Sequence, residues 1–108
     1  MEKITFGTLA NAWLEHIKER VSKNTYDINK GYIKNYMLPY FDGGEQSVDE
    51  VNVSIESYVG KIEASERAEL VKKLYPVFSQ ILDYAVMLGY IKFNYARVIV
   101  PFAKIFPP

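Results

Sequence analysis

The side chains of this 108-residue chain that could do chemistry are few, and their spacing excludes more than it suggests. There is no cysteine, so neither a disulfide scaffold nor thiolate metal chemistry is open to it. The single histidine, His16, cannot build a two-histidine zinc or catalytic arrangement and lies mid-helix, without a context that exposes a nucleophile. Carboxylate pairs such as Asp49-Glu50 sit among polar residues, whereas a general acid needs an apolar pocket to raise its pKa. Gly43-Gly44 lacks the strand, Lys and Ser/Thr of a phosphate-binding loop. Nine tyrosines fall mostly at core or flanking spacings, where the ring packs and the hydroxyl stays wet. No catalytic residues, metal ligands or cofactor are therefore expected.

What remains is charge. Thirteen basic and thirteen acidic side chains cancel overall, but they are unevenly spread. Lys18, Arg20, Lys23, Lys30 and Lys34 face only Glu19 and Asp27 between residues 17 and 40. Residues 41–70 are strongly acidic, and Lys72, Lys73, Lys92, Arg97 and Lys104 make the remainder basic. If the two basic stretches fold side by side they form one positive surface; otherwise they are ordinary solvated helix faces.

The elements that must carry these residues read as helices. Phe6, Leu9, Ala10, Trp13, Leu14, Ile17 and Val21 recur every three or four residues and predict a helix over 5–21, capped by Thr5 or Thr8. A break at Ser22 precedes a second helix over about 24–37, weakened by Gly31 and stopped by Pro39. Its inward face is Tyr26, Ile33, Tyr36 and Met37. Asn52 is placed to cap a third helix over 53–62. Ser65 is placed to cap a fourth over about 66–88, with Gly89 as its stop. The fourth helix buries Leu70, Leu74, Val77, Phe78, Ile81, Leu82, Ala85 and Leu88, leaves Lys72, Ser79, Gln80 and Asp83 opposite, and must kink or split at Pro76. No run of residues has strand periodicity or the ~20 apolar residues of a membrane span. The expectation is an all-α, compact four-helix domain with an irregular C-terminal tail, soluble, cytoplasmic and without a membrane partner.

Four stretches in this order resemble the N-terminal core-binding, or SAM-like, domain of phage integrases, members of the tyrosine recombinase family. These are Phe6–Leu14 with its Trp13-Leu14 pair, Ser22–Tyr26 followed by Leu38-Pro39-Tyr40-Phe41, Val48–Asn52, and Ile81–Ala96. In the last, Ala85, Gly89, Ile91 and Asn94 keep the family's spacing, while Tyr95 stands where proline is usual. The likeness runs from Ile4 to Lys104 and implies a DNA-binding domain over residues 4–100, with 101–108 beginning a linker to a catalytic domain. The family's cleavage set of two Arg, a Lys, one or two His and a nucleophilic Tyr resides in that separate domain. Only Arg20, Arg67 and Arg97 are present here, so the resemblance implies an excised, non-catalytic piece of a recombinase.

In the family, the second and fourth helices of this domain address the DNA. Carried over, Lys23, Asn24, Thr25, Lys30 and Lys34 on the second helix and Lys72 and Lys73 on the fourth become the DNA-binding candidates. The implied partners are the double-stranded core attachment site, the catalytic domain of the same chain and other recombinase protomers. The alternative is a helical protein–protein interaction module that uses exposed aromatics and the apolar stretch from Tyr90 to Phe106. A helix-turn-helix repressor is weaker, for lack of a tight turn and recognition helix.

Overall fold

A computed structural model describes residues 4–64 and 68–97. The chain is all-α, with helices α1 (Phe6–Ile17), α2 (Lys23–Tyr32), α3 (Val48–Val53), α4 (Ile55–Ala64) and α5 (Ala68–Leu88). It divides into two compact units, Met1–Val51 and Asn52–Pro108.

In the first unit, α1 follows its sequence period. Phe6, Leu9, Ala10, Trp13, Leu14 and Ile17 are buried, and the Thr5 hydroxyl accepts the Thr8 N–H at 3.2 Å. The helix ends at Ile17, four residues short of the expected Val21, which is half-buried in the turn that follows. His16 is half-buried beside the apolar stripe, as its position in the period predicts.

Ser22 caps α2 by accepting the Thr25 N–H at 3.1 Å. The expected helix over 24–37 is realised in two pieces. After Tyr32 the backbone widens into a π turn, Ile33–Met37, closed by the Leu38 N–H reaching the Ile33 carbonyl. Pro39 explains the change of register, since it offers no N–H to the carbonyl four residues before it. Of the expected inward face, Ile33 and Met37 are buried, whereas Tyr26 and Tyr36 are only half-buried.

The chain then turns through Leu38–Gly44, with Asp42, Gly43 and Gly44 at positive φ. A Cβ on Gly44 would lie 2.9 Å from Leu38 Cδ2 and 3.0 Å from the Gly7 Cα, so this close approach admits only glycine. Phe41 is thereby buried against Phe6, ring centroids 5.2 Å apart. Backbone bonds from Phe6 N–H to the Gln46 carbonyl and from Val48 N–H to the Ile4 carbonyl, 2.8 and 2.9 Å, fasten the start of the chain to the far side of this turn.

The segment expected to lead into the third helix is itself helical: Ser47 caps α3 by accepting the Glu50 N–H at 3.3 Å. Among the described residues, five α-helices therefore stand where four were expected.

In the second unit α4 buries Ile55, Tyr58, Val59 and Ile62, the four positions its period selects. Tyr58 stacks on Phe78 of α5, centroids 5.2 Å apart and planes at 25°. The cap expected from Ser65 lies outside the described residues. Helix α5 runs on through Pro76 without splitting. Pro76 is exposed, so the carbonyl of Lys72, which loses its usual donor, faces water rather than the core. The helix stops at Gly89 (φ 85°), where the Tyr90 and Gly89 N–H groups reach the Ala85 and Val86 carbonyls in a Schellman closure.

The buried face of α5 is wider than predicted and turned to one side. Val71, Tyr75 and Ser79 are buried as well, while Leu70 is half-buried and Leu88 is 46% exposed. The cause is the segment after Gly89, which returns along Tyr75, Ser79 and Asp83 at four-residue spacing. The Tyr75 hydroxyl donates to the Ala96 carbonyl. Asn94 Nδ2 reaches the Ser79 carbonyl (2.8 Å), Ser79 Oγ (3.2 Å) and Asp83 Oδ1 (2.9 Å), while its Oδ1 accepts the Ala96 N–H at 2.8 Å. By accepting the Ala96 N–H, Asn94 opens a 3-10 turn over Tyr95–Arg97.

Asn52 is not the helix cap expected of it. It is buried, donates to the Phe93 carbonyl and accepts the Tyr95 N–H, both at 3.0 Å. Every buried side-chain nitrogen and oxygen among the described residues has a hydrogen-bond partner.

Arg97 grips Asp83 through Nε, 2.9 Å from each carboxylate oxygen, and through Nη2. Arg97 and Asn94 hold the Asp83 carboxyl below its ordinary pKa, against a smaller opposing effect of burial. A depressed carboxyl adds stability above the unfolded value of about 4 and loses it as pH falls through its folded value. Urea midpoints measured between pH 7 and pH 2 should therefore fall on acidification less steeply in Asp83→Ala than in the parent. Burial pushes the Tyr75 hydroxyl upward and keeps it a donor to Ala96 at any neutral pH.

Candidate nucleic-acid interface

Each DNA-binding candidate is placed by its helix. About 100° of rotation per residue puts Lys23, Asp27, Lys30 and Lys34 along one strip of α2 and its π extension, and all four are exposed. The strip is basic but interrupted, because Lys23 Nζ lies 3.2 Å from Asp27 Oδ2. Both side chains are solvated, so this pair contributes only a few tenths of a kcal/mol and yields readily to a phosphate.

At the α2 N-terminus the three candidates divide. The Thr25 N–H donates to Ser22 Oγ and the Thr25 hydroxyl oxygen accepts from it, so Thr25 has its hydroxyl proton, not its backbone N–H, to offer a phosphate. Lys23 and Asn24 occupy the first two helical positions, whose N–H groups have no intrahelical acceptor.

In the second unit, Lys72 and Lys73 are both exposed on α5, beside Glu69, Pro76 and Gln80. Lys72 Nζ is 3.5 Å from Glu69 Oε1, a solvated pair of the same weak kind. Ser79, expected on this outer face, is buried under Asn94 instead.

Among the described residues no group of three His, Cys, Asp or Glu side chains could hold a metal ion, and no helix is long and apolar enough to cross a membrane. Four large apolar side chains, Met87, Leu88, Tyr90 and Phe93, are exposed where α5 ends. In the sequence, Met87 falls off the periodic stripe and Tyr90 and Phe93 follow the Gly89 stop, which sets them apart from the core; Leu88 has core spacing and only the structure shows it exposed.

No curated protein and no solved structure matches the chain. The family likeness is borne out in the first unit, although the matched region stops before residues 81–96, the most distinctive part of the sequence resemblance. Residues 5–51, nearly the whole of the unit that carries Lys23, Lys30 and Lys34, match the family model of the phage integrase N-terminal SAM-like domain.

Proposed function

We propose that the chain is the DNA-binding domain of a site-specific tyrosine recombinase and grips the core recombination site through the basic residues of α2 and α5. The observation that carries this reading is the exposed lysine strip of α2, within the region that matches the integrase domain. Lys23, Lys30 and Lys34 neutralise successive phosphates, Asn24 and Thr25 add polar contacts, and Lys72 and Lys73 supply a second set. Lysines suit phosphate positioning better than base reading, so affinity is salt-dependent and sequence preference modest. Residues 4–100 form the DNA-binding region, and strand cleavage belongs to a catalytic domain of the parent recombinase, a second partner beside its protomers on DNA.

The test is binding of a labelled duplex carrying the attachment-site core, titrated across salt. Five lysines on phosphates give a slope of log K against log salt of about −4.5. The double variant Lys72→Glu, Lys73→Glu should abolish binding at moderate salt. Equal binding by that variant would remove α5 from the interface.

A second reading, a helical protein–protein interaction module, is favoured by the exposed Met87, Leu88, Tyr90 and Phe93. The rest of the apolar stretch it invokes, beyond Arg97, lies outside the described residues. A chain that ignores DNA at every salt concentration but binds another protein through these side chains would establish it.

A further inference from the structure

Helix α2 contains no buried residue, which is unusual for a helix too short to be stable alone in water. Tyr26, Asn29, Gly31 and Tyr32 are half-buried along it, and its firmest hold is at its ends, by the Ser22 cap and by Ile33 and Met37 beyond it. Within it stands Gly31, a residue that weakens a helix, and nothing in the protein calls for it. Its φ is not positive, and a Cβ there would meet no atom within 4 Å.

Helical rotation aligns Gly31 with Asn24, Ile28 and Asn35 on a strip beside the lysine strip. Asn24, Ile28 and Asn35 are exposed, Ile28 by 45%. The strip therefore joins two amides, one branched apolar side chain and a gap in the helix surface, flanked by cations.

We propose that this strip is the part of the domain that enters the DNA major groove and gives it a preference for A·T pairs. The inference rests on the DNA-binding reading above and names the residues that read the sequence. A groove about 12 Å wide admits a helix of about that diameter, and the lysine strip then faces the phosphates along its edge. Asparagine amides match the paired donor and acceptor of adenine, and a branched aliphatic group meets the thymine methyl. Gly31, lacking a Cβ, lets the α2 backbone approach the duplex more closely than any other residue would.

Two glycine variants separate this role from a structural one. Gly60 in α4 is exposed and, like Gly31, has open space where a Cβ would project, and it serves as the control. Gly31→Ala and Gly60→Ala should each raise the thermal midpoint by about 4 °C, because alanine is the better helix former. Only Gly31→Ala should weaken binding of a core-site duplex, by about tenfold. Asn24→Ala should lower the preference for A·T over G·C duplexes by about tenfold while leaving the salt slope unchanged. Full-strength binding by Gly31→Ala, or a lowered midpoint in that variant, would overturn the proposal while the lysine interface stood. Failure of the parent chain to bind any duplex would overturn both.

Discussion

Asn94→Ala should lower the unfolding free energy by about 3 kcal/mol, read as a reduced urea midpoint. Asn94 is buried and makes four hydrogen bonds, three from its amide group to Ser79 and Asp83 and one to its oxygen from the Ala96 N–H. Alanine removes all four and strands the Ala96 N–H, whose uncompensated burial costs about 1–3 kcal/mol on its own. Against a total of 5–15 kcal/mol for an ordinary domain, roughly, the loss is severe. Asn94→Asp separates bonding from volume: it keeps the acceptor for Ala96 but sets a carboxylate against Asp83 Oδ1. It should destabilise nearly as much at pH 7 and recover partly at acid pH, where one carboxyl is protonated. If Asn94→Ala proved neutral, the return of residues 89–97 along α5 would be a loose contact rather than a fastening.

Phe78→Ala should cost still more, about 3–5 kcal/mol by the usual range for buried aromatics. Phe78 is completely buried on α5 and stacked on Tyr58 of α4. Truncation loses the transfer free energy of the ring, leaves a cavity and deprives Tyr58 of its stacking partner, itself a contribution of about 1 kcal/mol. Phe78→Leu, which keeps most of the volume, should recover more than half of the loss. Since α4 and α5 make the second unit, Phe78→Ala should also broaden the chemical-shift or fluorescence signature of Tyr58. A loss below about 1 kcal/mol would mean that the second unit does not rest on this pairing.

Sequence spacing by itself determined the helices and most of their inner faces. The α1 stripe from Phe6 to Ile17, the Ile55–Tyr58–Val59–Ile62 set of α4, a threonine cap that the structure assigns to Thr5 rather than Thr8, and the Gly89 stop all depend on residues within a turn or two of one another. Local rules suffice there, because the interacting groups are tied together by the helix itself. The lysine strip of α2 belongs to the same class, since helical spacing sets which residues share a face.

The roles of Asn52, Tyr75, Ser79 and Asn94 were decided only by tertiary structure. Asn52 bonds to residues 41 and 43 positions away, and Asn94 to Ser79 at a separation of 15. An asparagine reads as a helix cap from its neighbours alone; whether its amide is claimed by a distant carbonyl depends on where the chain returns. For the same reason the buried face of α5 was misplaced at Leu70, Leu88 and Ser79, because a period shows that a face exists but not what covers its margins. The face of α2 is the converse case: Tyr26 and Tyr36 have the spacing of a core face, yet only Ile33 and Met37 of that set are fully buried and the two tyrosines stay half-buried.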